Sequence, residues 1–529
     1  MGKWRRWIRS GIIRGSRVWW IGALYRKACQ LITWMVGHRL ASIAGVEATY
    51  TRHSHPRFVT FAPGQSDLDL TLVLDDDAAR NAAVVRTCAD QVDALSGTFG
   101  FIFPQDARFV TRRELAQIEA RPGAAEILSG PGTWIRIGGR ELRQDRQLPI
   151  VASDHIVRHP EFNAWWLNVM QTPMLTPQTR LPEDELRLCF RVAMKNQLNL
   201  LVARGRMAPP TDPYLPDSSA ASLFADDPEM TRMLGNLERT HFRTPDWKER
   251  KAGIFHRSLT LAADFYRDLP VPSDAVWIAP AAGPSPALAE AHRDELRDRF
   301  GRARALRSIA ESIIIYPTPH WAPGEYQIDL ILRDDVTSAA IDEAVMAIKS
   351  FGGRTFGIGG THAQVTMIPR IAFEHPWYFL GTPFPFLHRH VATSAEVLFG
   401  APPKIPGAPG RDELLRWCTT YYFFHRFTSR YRPRYVSKDC NFCQIAAIRL
   451  FLEHGTMLTD VAEVQRAYLG SYAPGEEQSH ALNYLLRREG DLSDAASFAD
   501  ALRIQAREYD AVERLLREAG MLSSDEIRG

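Results

Sequence analysis

Cysteine is scarce in this chain of 529 residues, with six at positions 29, 88, 189, 418, 440 and 443. They are scattered and no secretory cleavage pattern is present, which argues against a disulfide framework and for a reducing, cytoplasmic setting. Cys440-Asn441-Phe442-Cys443 has CxxC spacing, but no second pair stands nearby to complete a zinc site. Two thiols on one helix is the simpler reading. Acid is absent from the start of the chain, where Glu47 is the first. No uncharged run before it approaches the roughly 20 residues of a spanning helix. A dinucleotide turn is missing too, because Phe356-Gly357-Ile358-Gly359-Gly360 lacks the GxGxxG spacing and the helix that should follow. Net charge is only +3, with no concentrated basic patch beyond the N-terminus to favour nucleic acid.

The chain is too long for one ordinary core, so two or more domains are expected. Residues 1–40 carry Lys3, Arg5, Arg6, Arg9, Arg14, Arg17, Arg26, Lys27 and Arg39, interleaved with Trp4, Trp7, Trp19, Trp20 and Trp34. This predicts a basic, Trp-rich helix. It either lies on an anionic membrane or acidic partner or packs on the first domain with its arginines in solvent. Residues 20–43 look like a domain's first helix and 1–19 like an appendage.

The most informative stretch is Ala62-Pro63-Gly64-Gln65-Ser66-Asp67-Leu68-Asp69-Leu70-Thr71-Leu72-Val73-Leu74, followed by Asp75-Asp76-Asp77. On a strand, residues i and i+2 share a face, so Asp67 and Asp69 project together. Like charges repel and desolvation is costly, which makes such a pair poor structural glue. It suits divalent cations held against a phosphate. A helix is expected over 78–95, ended by Gly97, from the spacing of Val84, Val85, Cys88, Val92 and Leu95. Thr111 opens a helix with Glu114 at the capping-box position. Further helices are expected at 183–204, 246–268 and 286–308, with a Pro/Asp/Ser-rich loop at 208–235. Tyr421-Tyr422-Phe423-Phe424 reads as helix core.

The pattern then returns. Ala322-Pro323-Gly324 repeats Ala62-Pro63-Gly64, and Asp329-Leu330 repeats Asp69-Leu70. Thr355-Phe356-Gly357 repeats Thr98-Phe99-Gly100, Phe399-Gly400 repeats Ile137-Gly138, and Asp412-Glu413-Leu414 repeats Asp184-Glu185-Leu186. Collinear matches of this kind indicate a tandem duplication. On this alignment Gln327 replaces Asp67 and Asp329 stands alone.

The first copy resembles the nucleotidyltransferase superfamily with the polymerase-β-like core. Ser66-Asp67-Leu68-Asp69 fits its Ser-Asp-x-Asp strand, and Ile137-Gly138-Gly139-Arg140-Glu141-Leu142 is similar to the segment closing the core in antibiotic and small-molecule nucleotidyltransferases. The family's Gly-Ser turn appears here as His53-Ser54. The resemblance implies an α+β fold of two tandem units, each a small mixed sheet with flanking helices followed by a helical region. The expected divisions are 1–40, 41–145 (core), 146–308 (helical), 309–405 (degenerate core) and 406–529 (helical).

The resemblance also implies Mg²⁺ or Mn²⁺ held by Asp67, Asp69 and Asp106, and an NTP, ATP in the first instance, as co-substrate. Ser54 and Ser66 would bind its phosphates, with Lys195 as a phosphate cation and Glu185 as a general base. The expected reaction is nucleoside monophosphate transfer to a hydroxyl of a small-molecule acceptor, with the second copy inactive. The alternative is a catalytically weak nucleotide- or partner-binding scaffold.

Overall fold

The computed structural model describes residues 8, 11–12, 15–16, 18–52, 69–77, 82–99, 107–120, 134–142, 171, 174–175, 182–207, 223–232, 247–271, 273, 275–279, 290–317, 325–358, 361–376, 391–407, 410–428, 442–472, 480–487, 492 and 494–522. The fold is mixed α+β, with small mixed sheets among helices. Two compact units emerge, and both are discontinuous. Unit 1 takes 1–150, 210–214 and 411–529; unit 2 takes 151–209 and 215–410.

Unit 1 holds a four-stranded sheet made of β1 (Val46–Arg52), β2 (Asp69–Leu74), β3 (Ala107–Thr111) and β4 (Ile135–Gly139), in the order β3-β2-β1-β4. β1 runs antiparallel to β2 and to β4, while β2 and β3 are parallel. Helix Ala82–Phe99 makes the crossover between the parallel pair and buries Val85, Cys88, Val92 and Leu95. It continues through Gly97, contrary to expectation. A single interior glycine costs only about 1 kcal/mol, and the buried face outweighs it.

The helix after β3 starts as the sequence predicts. Thr111 N–H donates to Glu114 Oε2 at 2.7 Å and Glu114 N–H donates to Thr111 Oγ1 at 3.0 Å, a reciprocal capping box at the head of helix Arg112–Ala120. Thr111→Ala should therefore lower the free energy of unfolding by about 1 kcal/mol, read from a urea melt.

Helix Trp19–Ala41 lies on this sheet with Cys29, Thr33, Val36 and Leu40 buried. Gly37 and Gly138 let its backbone reach β4. A Cβ on Gly37 would stand 2.4 Å from the Ile137 carbonyl oxygen, and one on Gly138 would stand 2.2 Å from that of Gly37. Unit 1 is completed by helices Arg411–Thr428, Phe442–His454, Val461–Tyr472, His480–Arg487 and Ala495–Glu518. Buried Glu513 ties them to the sheet layer, accepting from Arg113 (3.3 Å), Tyr422 Oη (2.9 Å) and Arg517 (2.9 Å).

Unit 2 joins helices Pro182–Ala203 and Trp247–Asp268 to a second sheet. Before that sheet, the expected 286–308 helix is broken. Helix Glu290–Leu296 passes into a π-helical turn, Arg297–Gly301, and helix Arg304–Ile309 follows. Around the break, Arg293 and Arg297 both donate to the buried carboxylate of Glu396 at 2.7 and 2.9 Å.

The second sheet contains β6 (Ala310–Pro317), β7 (Glu325–Leu332), β8 (Thr355–Ile358), β9 (Thr361–Pro369) and β10 (Glu396–Gly400), in the order β10-β6-β7-β9-β8. β6 is antiparallel to β7 and β10, and β7 is parallel to β9. Setting β8 aside, this is the strand order and direction of the first sheet. A separate two-stranded ribbon pairs β5 (Trp277–Ile278) with β11 (Ile405–Pro406).

The registers match residue by residue. Bulges fall between Val46 and Ala48 opposite Leu74 and Val73, and between Ala310 and Ser312 opposite Leu332 and Ile331. Gly139 pairs with Ala48 and Gly400 with Ser312, both glycines left-handed with φ of 73° and 81°. A Cβ there would approach the carbonyl oxygen of Glu47 to 2.2 Å and that of Glu311 to 2.0 Å. Both sites need glycine for the same reason, backbone conformation and close approach.

Candidate active site

Asp69 opens β2, where its backbone pairs with Arg52 on one side. On the other side the next residue, Leu70, pairs with Ala107 of β3. Ser54, Ser66, Asp67 and Asp106 lie outside the described residues. The acidic turn beyond β2 is tied down: Asp75 N–H donates to the Gly45 carbonyl at 3.1 Å, and Arg113 N–H donates to Asp76 Oδ1 at 3.3 Å. At the far end of β1, buried Tyr50 donates its hydroxyl to Glu141 Oε1 at 2.8 Å and accepts from Leu142 N–H at 3.0 Å. Among the described residues no group of three or more His, Cys, Asp or Glu is disposed to hold a metal ion.

Glu185 and Lys195 stand on helix Pro182–Ala203. That helix belongs to unit 2, whereas Asp69 belongs to unit 1. The structure does not bring these residues together in one compact unit. Within unit 1, helix Arg411–Thr428 packs near β3, and its Asp412-Glu413-Leu414 start is the same sequence pattern as Asp184-Glu185-Leu186.

The sheet registers correct the alignment read from letters alone. With the two bulges superposed, Leu74 is level with Leu332. Asp69 is therefore level with Gln327, and Thr71 with Asp329. The parallel pairs agree, since Leu74 faces Thr111 and Leu332 faces Pro369, each immediately before a helix. In the chain the residue before Ala107 is Asp106, and the residue before Val365, the counterpart of Ala107 on β9, is Gln364, the partner of Gln327. The shared letters at Thr98-Phe99 and Thr355-Phe356 fall on a helix end in one case and a strand start in the other. Gly400 matches Gly139, one residue from the glycine the sequence comparison chose.

At the level of Asp69 and Thr71, the second sheet holds a closed polar network. Tyr316 Oη donates to Asp329 Oδ2 at 2.6 Å. Gln327 Nε2 donates to Asp329 Oδ1 and to Thr366 Oγ1, both at 2.8 Å. Asp329 is 2% exposed and Arg354 is 5% exposed. Burial pushes the Asp329 carboxyl up to about 6, against the hydrogen bonds of Tyr316 and Gln327 and the charge of Arg354, which hold it down. Burial likewise lowers the Arg354 guanidinium to about 10, with Asp329 opposing. Both shifts mark a pair held out of water at a cost.

Tyr316, Thr366 and Arg354 had no signal in the sequence. Their positions are set by register and burial, not by a motif. Gln171 is another such residue. Its amide donates to the Met367 carbonyl (2.7 Å) and accepts from the Met367 N–H (2.6 Å), standing in for a strand beyond the end of β8.

The described cysteines are buried and form no disulfide among themselves. Burial raises Cys29 to about 11 and Cys88 to about 12, and lifts Cys418 as well, so these thiols are poor nucleophiles. Cys440 of the CxxC lies outside the described residues. Compared with protein families, curated proteins and solved structures, the chain matches none of them, and the functional reading rests on its own residues.

Proposed function

We propose that the first sheet is the core of a metal-dependent nucleotidyltransferase, transferring a nucleoside monophosphate from an NTP to a hydroxyl of a small-molecule acceptor. One observation carries the reading. The parallel β2–β3 register sets Leu70 beside Ala107, and the residue before each in the chain is an aspartate, Asp69 and Asp106. At the matching levels of the second sheet the paired residues are amides, Gln327 and Gln364. Acids at these two chain positions in the first copy and amides in the second are the difference expected between an ion-binding copy and a non-catalytic one. Glu325 stands two residues before Gln327, as Asp67 stands two residues before Asp69, so one acid of three persists in the second copy.

The donor chemistry, carboxylates alone, fits a hard divalent cation such as Mg²⁺ or Mn²⁺ held by Asp67, Asp69 and Asp106. When bound, the ion neutralises phosphate charge and lowers the pKa of the attacking hydroxyl. Asp106 takes up the hydroxyl proton, and the Ser54 and Ser66 hydroxyls donate to phosphate oxygens. The rest of the work is orientation, since phosphoryl-type transfer needs little covalent help. Glu185 and Lys195 stand on a helix of the other compact unit, and the resemblance gives them the roles of general base and phosphate cation.

Asp67→Ala and Asp69→Ala should each lower Mg²⁺-dependent pyrophosphate release by about 1000-fold or more with an unchanged circular dichroism spectrum. Gln327→Ala should leave turnover within about twofold. Undiminished turnover in both aspartate variants would sink the reading. The presence of His53 where the family has glycine favours a second reading, a binding scaffold, because a side chain there crowds a phosphate site. Nucleotide binding by calorimetry, with no pyrophosphate release across a hydroxyl-acceptor screen, would select it.

A further inference from the structure

Helix Trp19–Ala41 has two apolar faces. At 100° per residue, buried Cys29, Thr33, Val36 and Leu40 form one stripe, which lies against the first sheet. The opposite stripe carries Trp20, Leu24, Leu31, Trp34 and Met35, exposed by 56%, 61%, 59%, 56% and 59%. Single exposed apolar residues are ordinary, but five on one face of one helix are not. The stripe runs for about 22 Å, with Trp20 at one end and Trp34 near the other.

We propose that this face docks on the surface of an anionic lipid bilayer, with the helix axis in the plane of the interface. Charge selects the occupant. Nine Lys and Arg residues stand in 1–40, and no acid precedes Glu47. Such a segment is drawn to anionic headgroups. Tryptophan is suited to the headgroup boundary, where its ring is apolar and its N–H is wet. No described helix is long and apolar enough to cross a membrane, and Arg26, Lys27 and Arg39 interrupt this one. In the interface plane those side chains lift their charges to the headgroups while their stems stay on the apolar surface.

A second copy of the chain is the competing occupant, and Lys27 argues against it. Lys27 is exposed, on the stripe and close to its midpoint. Two helices paired about a two-fold axis through that midpoint would set Lys27 against its own counterpart. The proposal does not depend on the nucleotidyl-transfer reading.

The test is vesicle flotation of the full chain. Vesicles containing about one-third phosphatidylglycerol should bind about tenfold or more tightly than phosphatidylcholine vesicles, and salt at about 0.5 M should remove most of the difference. Combining Trp20→Ser, Leu24→Ser, Leu31→Ser and Met35→Ser should weaken binding about tenfold or more. The thermal midpoint should not fall, since all four side chains are exposed. Lys27→Glu should weaken binding to anionic vesicles alone and flatten the salt dependence. Absence of vesicle binding by the unaltered chain would overturn the proposal, as would unchanged binding by the fourfold variant. A lipid-free dimer that the fourfold variant converts to monomer would assign the face to a second copy instead.

Discussion

Produced alone, residues 151–410 should fold to a single cooperative unit, and residues 1–308 should not. Both fragments contain helices Pro182–Ala203 and Trp247–Asp268, but only the first contains the sheet on which those helices pack. Val192, Leu198, Ile254, Phe255, Leu261 and Ala262 share one core with Ile313, Ile328, Leu330, Ile341, Val345 and Val365. Each large apolar side chain is worth about 1.5–3 kcal/mol when fully buried. Stripping the sheet from half a dozen of them removes about 10 kcal/mol, comparable with the whole stability of a domain.

The first sheet has the converse requirement. Helix Ala495–Glu518 contacts helix Ala82–Phe99, helix Arg411–Thr428 contacts β3, and Glu513 accepts from Arg113. A fragment ending at 308 loses all of these. Residues 1–150 and 411–529, co-expressed, should recover a cooperative melt that neither piece shows alone. Urea denaturation followed by circular dichroism, with limited proteolysis, reads each case. A cooperative transition in the 1–308 fragment would show that the helices can serve the nearer sheet.

That exchange of helices shows where sequence reading stops. β1, β2, β7, the helix after β2 and the Thr111–Glu114 box are all legible, because each is specified by residues close together in the chain. Two-residue alternation marks the strands, four-residue spacing marks the helix, and an Ser/Thr-x-x-Glu pattern marks its cap. An amphipathic helix states that it has an apolar face, and it does not state which sheet will cover that face. The register of the two sheets is hidden for a related reason. Bulges at Val46/Ala48 and Ala310/Ser312 shift the pairing by one residue, and no side chain announces them. Matching letters therefore set Asp329 against Asp69, when the bulges set Gln327 there. Of the seven candidate site residues, Asp69, Glu185 and Lys195 fall within the described chain, and they divide between the two units. The aspartate pair stands out in the sequence because its chemistry is local, two acids two residues apart, and of the two only Asp69 lies within the described residues.

Arg354→Met should destabilise unit 2 by about 3–5 kcal/mol at pH 8 and by about 1 kcal/mol at pH 5. The difference arises from Asp329. Its carboxyl titrates near 6 in the folded chain against 3.8 when unburied. The folded state thus binds the extra proton between those values, and stability from this group falls as pH rises through the window. The full penalty, about 3 kcal/mol, is present above the folded value and absent below the unfolded one. Arg354 is one of the groups holding the carboxyl down. Without it the folded value rises further, and above that value the variant must keep an unpaired carboxylate in the interior. Near pH 5 the folded-state carboxyl is protonated in both proteins. What remains is the loss of packing and of the 3.3 Å hydrogen bond from Arg354 Nε to the Val365 carbonyl, worth about 1 kcal/mol. Arg354 titrates near 10 itself, so its own charge is constant across the range. Adding Asp329→Asn to Arg354→Met removes the buried charge and should erase the pH dependence, recovering most of the loss at pH 8. Equal costs for Arg354→Met at both pH values, in urea melts of the full chain, would show that the two charges are not coupled across the second sheet.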